Sequence, residues 1–148
     1  MAEPPRAKLA AFDAALRRGT RMRWPASGTP GPDDRIETDP GTGDLLDLRH
    51  APSRRFLGRE PVHENLLIEL VHPLADTQPA ALRLGRVVYR AGNDRLLYQA
   101  TRAVGSLTLV EATAERFVID AALTLINPEI DLEHAGTHQL VGQIIIAR

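Results

Sequence analysis

Apolar and polar residues alternate along most of the chain after His63, and this period of two constrains the fold more than any other feature. In the segment 116–126 the residues of one parity are large and apolar, namely Phe117, Ile119, Leu123 and Leu125. Asp120 and Thr124 lie at the other parity. Such alternation is typical of a β-strand with one buried face. We therefore expect antiparallel β structure over 65–147, with the apolar set of 116–126 in the core.

Turn signals divide this region into six predicted strands. The runs 81–90 and 95–101 flank Gly, Asn and Asp residues that tolerate hairpin-turn geometry, and the runs 105–110 and 116–126 flank a second turn. A first strand at 66–71 is stopped by a proline, and a last strand at 138–147 can pair with an early one. The predicted fold class is mainly β, either an antiparallel β-sandwich or a small up-and-down barrel.

The N-terminal segment has a different apolar spacing. Leu9, Phe12 and Leu16 are three and four positions apart, two prolines precede them, and Gly19 follows. This pattern predicts one amphipathic N-terminal α-helix over 7–18. Residues 1–24 carry six basic and two acidic side chains, a local net charge of +4. Such a basic segment can dock on an acidic face of its own or a neighbouring subunit.

A long Pro/Gly-rich arm follows the basic segment. Residues 25–61 contain six prolines and five glycines, which are turn and loop signals. Only two short strands are expected there, 35–38 and 44–49, paired with each other across the turn 39–43. The predicted organisation is a basic lead-in at 1–24, the arm at 25–62 and an antiparallel β domain at 63–148, all in one folding unit.

Composition excludes several function classes. A chain of 148 residues with 43% hydrophobic residues suits one domain. The absence of cysteine excludes disulfides, thiolate metal sites and cysteine nucleophiles. A net charge of -1 argues against nucleic-acid binding by overall positive charge. We expect no membrane span and no secretory leader, and hence a cytoplasmic chain, because no apolar run approaches about 20 residues and charges interrupt the N-terminal apolar residues.

The densest polar cluster precedes the last strand and supplies a candidate metal site. Its carboxylates and imidazoles suit a divalent cation, and the candidate ligands are Asp131, Glu133, His134 and His138. The same groups are the candidate machinery of a small hydrolase or isomerase. A solvated loop between strands is the competing interpretation, because Gly136 makes a helix joining the two histidines doubtful. No sequence motif for a catalytic triad or a bound nucleotide is present, and no cofactor is expected.

A small basic patch beside an aromatic residue is a second candidate binding site. It consists of Arg54, Arg55, Phe56 and Arg59 and is suited to RNA or an acidic protein. The whole chain contains only six aromatic residues, which leaves few stacking platforms for bases and argues against nucleic acid as the partner.

The last predicted strand presents apolar residues on both faces because it contains three consecutive isoleucines, Ile144 to Ile146. Val141 and Ile145 therefore need a cover, which is either the N-terminal helix or a second subunit. The leading hypothesis is a noncatalytic β module that binds a protein partner or assembles into a homo-oligomer. The alternative to that module and to the enzyme is a carrier that encloses a small apolar ligand in a barrel lined by Leu84, Val88, Leu97, Leu107, Leu123 and Ile144.

Overall fold

The computed structural model describes residues 6–23, 37–50, 63–75, 80–92, 97–126 and 137–148. Twelve strands and one 3-10 turn, Leu9–Ala11, are formed by these residues. The strands are β1 Arg6–Lys8, β2 Asp13–Arg17, β3 Thr20–Arg23, β4 Glu37–Pro40, β5 Asp44–His50, β6 His63–Leu70, β7 Ala80–Leu82, β8 Leu84–Gly92, β9 Leu97–Ala100, β10 Arg102–Ala112, β11 Arg116–Ile126 and β12 Thr137–Ala147.

The strands form two five-stranded sheets and one hairpin. Sheet A has the order β1-β12-β11-β10-β7, and sheet B has the order β2-β5-β6-β8-β9. β3 and β4 form the separate hairpin. Every described strand pair is antiparallel except β1 with β12. The prediction of a mainly β chain with antiparallel sheets is confirmed.

One hydrophobic core lies between the two sheets. Sheet A contributes residues of alternate parity from β10, β11 and β12, and sheet B contributes Leu46, Leu48, Leu66, Ile68 and Tyr89. The predicted core set of β11 is confirmed, since Phe117, Ile119, Leu123 and Leu125 are all buried in this cluster. Burial of one parity along an eleven-residue strand stabilises the fold because each large apolar side chain contributes about 1.5 to 3 kcal/mol.

Of the two predicted architectures, the barrel is wrong for the described strands, which form open sheets packed over a filled core. Leu107, Leu123 and Ile144 from the expected barrel lining are core residues, and Leu84 packs beside them. Val88 lies on the opposite side of sheet B, in a second cluster with Met22, Leu45 and Leu67. The side chain of Leu97 lies outside the described residues.

The predicted N-terminal α-helix is also wrong. The segment forms β1, a single 3-10 turn and β2. Leu9 and Phe12 are buried in the core between the sheets, and Leu16 packs against it. In β2 burial alternates with a period of two, and the strand pairs with β5 from Asp13 to Arg17. Pairing with a buried strand overrides the helical preference of an Ala- and Leu-rich segment.

The two short strands predicted within the arm exist, but they do not pair with each other. β4 pairs with β3, and β5 lies between β2 and β6 near the centre of sheet B. Residues 44–48 of β5 are buried on both faces. Since β5 is covered on both sides, it is one of the most enclosed strands in the molecule rather than part of a loop.

Both predicted hairpins of the β domain are confirmed by pairing. β8 pairs with β9, and β10 pairs with β11. In the turn between β10 and β11, the hydroxyl of Thr113 accepts hydrogen bonds from the backbone N–H groups of Glu115 and Arg116, both at 3.2 Å. This side-chain cap fixes the turn and therefore the register of β10 and β11.

The β3–β4 hairpin covers the outer face of sheet B. Met22 is buried against Leu45, Leu67 and Val88, which all point away from the main core. The carboxylate of Glu69 accepts a hydrogen bond from the backbone N–H of Met22. Sheet B is therefore buried on one face by the core and on the other by a hairpin of the same chain.

Candidate functional site

The structure describes only part of the residues that the sequence singled out. Arg54, Arg55, Phe56 and Arg59 lie outside the described residues, and so do Asp131, Glu133 and His134. His138 lies in β12 opposite Leu125, and its side chain is not among those described. Within the described residues no group of three or more His, Asp or Glu side chains is placed to hold a metal ion. The basic patch and the metal cluster stay predictions.

Val141 and Ile145 lie on the face of sheet A that points away from the core, called here the outer face of sheet A. The register sets its rows across β12, β11 and β10: Ile145 with Val118 and Glu111, Gln143 with Asp120 and Thr108, Val141 with Ala122 and Ser106, and Gln139 with Thr124 and Val104. Ile145 is 46% exposed and Val104 56% exposed. Both are large apolar side chains in contact with solvent.

The N-terminal segment does not provide the expected cover for this face. Leu9 and Phe12 insert between the two sheets, on the opposite side of β12 from Ile145. Val141 is partly buried, whereas Ile145 is nearly half exposed. In the described part of the chain, the hairpin that covers sheet B has no counterpart over sheet A.

A polar pair crosses the middle of the outer face of sheet A. The amide of Gln143 donates a hydrogen bond of 3.1 Å to the carboxylate of Asp120, its register partner. Apolar residues therefore lie on both sides of a polar row rather than in one continuous patch.

A hydrogen-bonded chain at one end of the core was missed by the sequence reasoning. The hydroxyl of Tyr89 donates to Glu64 Oε2 at 2.5 Å, and Glu64 Oε1 lies 3.1 Å from His50 Nδ1. The His50 ring also contacts Phe12, with 5.3 Å between ring centroids. A carboxylate in this position orients an imidazole and can hold it ready for proton transfer.

The pairing of β5, β6 and β8 brings these three hydrogen-bonded side chains together. His50 is opposite Glu64, and Tyr89 is opposite Leu66, two residues further along β6. The sequence alone does not bring His50 and Glu64 together, because their pairing depends on the register of β5 and β6. Among the described residues no nucleophile or second base is seen in contact with His50. We therefore assign the hydrogen bonds of His50, Glu64 and Tyr89 a structural role at the end of the core.

Two buried aspartates organise the opposite end of β5 and the outer face of sheet B. Asp44 is 1% exposed and accepts hydrogen bonds from Arg18, from the Gly19 N–H at 3.0 Å and from the Leu74 N–H at 2.7 Å. Arg18 also donates to the carbonyl oxygen of Leu74. This single carboxylate joins three segments of the chain and satisfies the buried N–H of Leu74 and the partly buried N–H of Gly19.

The carboxylate of Asp47 forms hydrogen bonds with two arginines. Arg17 donates to its carboxylate at 2.7 Å, Arg49 donates at 3.2 Å, and Asn65 donates at 3.2 Å. The hydrogen bond and the nearby charge of Asp47 raise the pKa of the Arg49 guanidinium above its ordinary value. Because its partners satisfy the Asp47 carboxylate, the group holds strands together and is not an open ligand site.

A cleft of about 170 Å³ lies between the β3–β4 hairpin and sheet B. Its lining includes Thr20, Arg21, Glu69 and Gly85. The Glu69 carboxylate in this lining is already used by the backbone of Met22. The cleft is therefore a seam between the hairpin and the sheet.

Comparisons of the chain with models of protein families, with curated proteins and with solved structures give no match. Among the described residues no helix is long and apolar enough to cross a membrane.

Proposed function

We propose that the chain is a noncatalytic β module that assembles with itself, with the outer face of sheet A as the interface. One contrast supports this proposal above all. The apolar residues on the outer side of sheet B are buried under the chain's own hairpin, whereas Ile145 and Val104 on sheet A are exposed to solvent. Ile145 lies beside Val118 in one cross-strand row, and contiguous apolar surface of this kind is what marks a protein interaction site.

The hydrogen-bonding pattern also favours binding over catalysis. The buried carboxylates of Asp44 and Asp47 are satisfied by arginines and backbone donors. Glu64 is shared by a tyrosine and a histidine. These groups hold strands in place, and among the described residues the outer face of sheet A carries exposed apolar side chains that no such contact uses.

The experiment compares two substitutions of exposed apolar residues by aspartate. Ile145→Asp places a charge in the proposed interface and is expected to convert the assembly into a folded monomer, because an interface core does not tolerate an unpaired charge. Val71, which is 40% exposed and follows β6, provides the matched control. Val71→Asp is expected to leave the assembled mass unchanged in size-exclusion chromatography with light scattering.

Circular dichroism of both variants tests whether the fold is retained. If Ile145→Asp keeps the wild-type mass, or if both variants dissociate equally, the outer face of sheet A is not the interface.

A further inference from the structure

We propose that two copies of this chain pack face to face through the outer face of sheet A, with Arg102 of each copy paired to Glu111 of the other. The two-fold axis lies between the sheets and crosses the strands, so that each strand lies over the same strand of the other copy and runs in nearly the opposite direction. This inference rests on the proposed self-assembly and specifies how the two copies meet.

The strand register divides the outer face of sheet A into five cross-strand rows. On β10 the first row starts at Arg102 and the second at Val104, and the fifth row ends at Ile145 on β12. The third row is the middle of the face and consists of Ser106, Ala122 and Val141. The two exposed apolar side chains, Val104 and Ile145, therefore lie on opposite sides of the middle row.

The direction of the axis follows from Asp120, which is exposed on β11, the central strand of the three. Facing sheets pack nearly aligned and about 10 Å apart. An axis along β11 would place every row against itself, and Asp120 would face its own copy across this spacing. Like charges that face each other in an interface are unfavourable. An axis across the strands avoids this contact, because it brings the fourth row, which contains Asp120, against a different row.

The position of the axis follows from coverage. The row on the axis faces its own copy, and the second and third rows are the two that contain no charged residue. With the axis on the second row, Ile145 would face no row of the other sheet. With the axis on the third row, the first row meets the fifth and the second meets the fourth. Both Val104 and Ile145 are then covered.

The charge complementarity of this arrangement selects a second copy as the occupant. Arg102 is exposed, and among the described residues it has no ion pair. In the arrangement it faces Glu111 of the other copy, on the same strand. Glu111 already forms an ion pair of 3.1 Å with Arg116, and its side chain is 39% exposed. One carboxylate can accept two guanidinium groups, and such pairs are directional. By symmetry the contact forms twice.

The remaining rows are also complementary. Asp120 faces Thr124 of the other copy, whose hydroxyl can donate a second hydrogen bond beside the one from Gln143. Ile126, which is partly buried and opposite Arg102, lies over the row that contains Ile145 of the other copy. The arrangement therefore provides a donor for the Asp120 carboxylate and an apolar neighbour for Ile145.

The size of the contact is that of a reversible dimer. Five rows on three strands measure about 34 by 14 Å, or about 500 Å² from each copy, at the usual spacings of a sheet. The total of about 1,000 Å² is at the lower end for specific interfaces, where weak and transient complexes are found.

Charge reversal followed by mixing tests the contact between Arg102 and Glu111. Arg102→Glu alone and Glu111→Arg alone each bring like charges together at both contacts, and each is expected to raise the dissociation constant about tenfold or more. A mixture of the two variants restores opposite charges at both contacts. The mixed dimer is therefore expected to dissociate with a constant within about twofold of the wild-type value. The two variants differ in mass, so native mass spectrometry distinguishes mixed dimers from dimers of one variant.

The matched control mixture contains Arg102→Glu and Glu115→Arg. Glu115 lies exposed in the turn between β10 and β11, beyond the fifth row. This mixed dimer keeps one like-charge contact and is expected to bind at least about threefold more weakly than the dimer of the two reversed partners. If the wild type assembles but the reversed partners bind no better than the control mixture, this arrangement is wrong and self-assembly stands. A wild-type chain that is monomeric at every concentration overturns both proposals.

Crosslinking of single cysteines tests the axis, because the chain has no cysteine of its own. Ala122→Cys lies on the axis and is expected to crosslink to its own copy through a bismaleimide that spans about 10 Å. Thr124→Cys, on the same face of the same strand, lies one row away and about 14 Å along the strand from its copy, and it is expected to stay uncrosslinked. Equal crosslinking of both variants, or no crosslinking of Ala122→Cys in an assembled chain, would overturn the arrangement.

Discussion

Single residues in this molecule are held by one of two kinds of contact, apolar burial between the sheets or a carboxylate that collects several donors. Leu123 represents the first kind and is 1% exposed in the middle of β11. Asp44 represents the second and joins the turn at Arg18 and Gly19 to the segment after β6. The two kinds of contact lead to separate predictions.

Leu123→Ala is expected to lower the free energy of unfolding by about 2 to 5 kcal/mol, through lost burial and a residual cavity. Thr124, the next residue, lies on the outer face of sheet A and is partly exposed. Thr124→Ala is therefore expected to cost about 1 kcal/mol or less. Denaturant titration of both variants measures their free energies of unfolding. If Thr124→Ala is the more destabilising of the two, the core lies on the Thr124 face of β11.

Asp44→Ala is expected to lower the free energy of unfolding by about 2 to 4 kcal/mol, because the N–H groups of Gly19 and Leu74 lose their acceptor. Asp120 provides a control, since its exposed carboxylate has a hydrogen bond from Gln143. Asp120→Ala is expected to change stability by about 0.5 kcal/mol or less. Thermal and denaturant unfolding measure both variants. If Asp44→Ala and Asp120→Ala lower the free energy of unfolding equally, Asp44 does not join these segments.

At the scale of the elements, the stability of the β3–β4 hairpin is expected to fall at low pH. Arg23 donates to the Asp39 carboxylate at 2.9 and 2.5 Å, and this hydrogen bonding lowers the pKa of Asp39 below its ordinary value. A carboxylate with a lowered folded-state pKa contributes stability above its unfolded pKa, and that contribution is lost as the pH falls through the folded pKa. The hairpin should therefore loosen in acid, below about pH 4.

NMR signals of the Met22 methyl group report this loosening, since Met22 is buried beneath the hairpin. Asp39→Asn removes the titrating group and is expected to flatten the acid dependence while weakening the hairpin at neutral pH. An unchanged acid profile in this variant would assign the transition to another carboxylate.

The elements also show where sequence reasoning succeeds and fails. β11 was predictable because its core-facing residues are all of one parity, and Val118 is the one residue of the other parity in this strand that is buried. β2 was not, because Phe12, Ala14 and Leu16 fit a period of two while Leu9, Phe12 and Leu16 also fit a helical spacing. Pairing with β5, a contact between distant segments, decides between the two periods.

The location of β5 and the His50–Glu64–Tyr89 hydrogen bonds could not be predicted either, because both depend on contacts between distant segments. β5 is buried on both faces because a hairpin formed by β3 and β4 covers its outer side. The hydrogen-bonded chain needs the register of three strands. Of the predicted site residues whose side chains are described, Val141 and Ile145 could be placed from the sequence because the three isoleucines showed that both faces of β12 are apolar.

At the scale of the whole molecule, the two sheets differ in which of their faces are buried. Sheet B is covered on its inner face by the core and on its outer face by the hairpin. In the described residues, the inner face of sheet A is covered by the core, whereas on its outer face Val118 is buried and Ile145 and Val104 are exposed. A second copy packed on this outer face would cover the exposed side chains.

The mass of the wild-type chain in solution decides whether the chain assembles with itself. Sedimentation equilibrium over about 1 to 100 µM spans the range in which an interface of more than about 1,000 Å² is expected to hold copies together. The expected result is a concentration-dependent rise from the monomer mass of 16.2 kDa to twice that mass or more. A constant mass of one chain across the whole range would show that the chain does not assemble with itself.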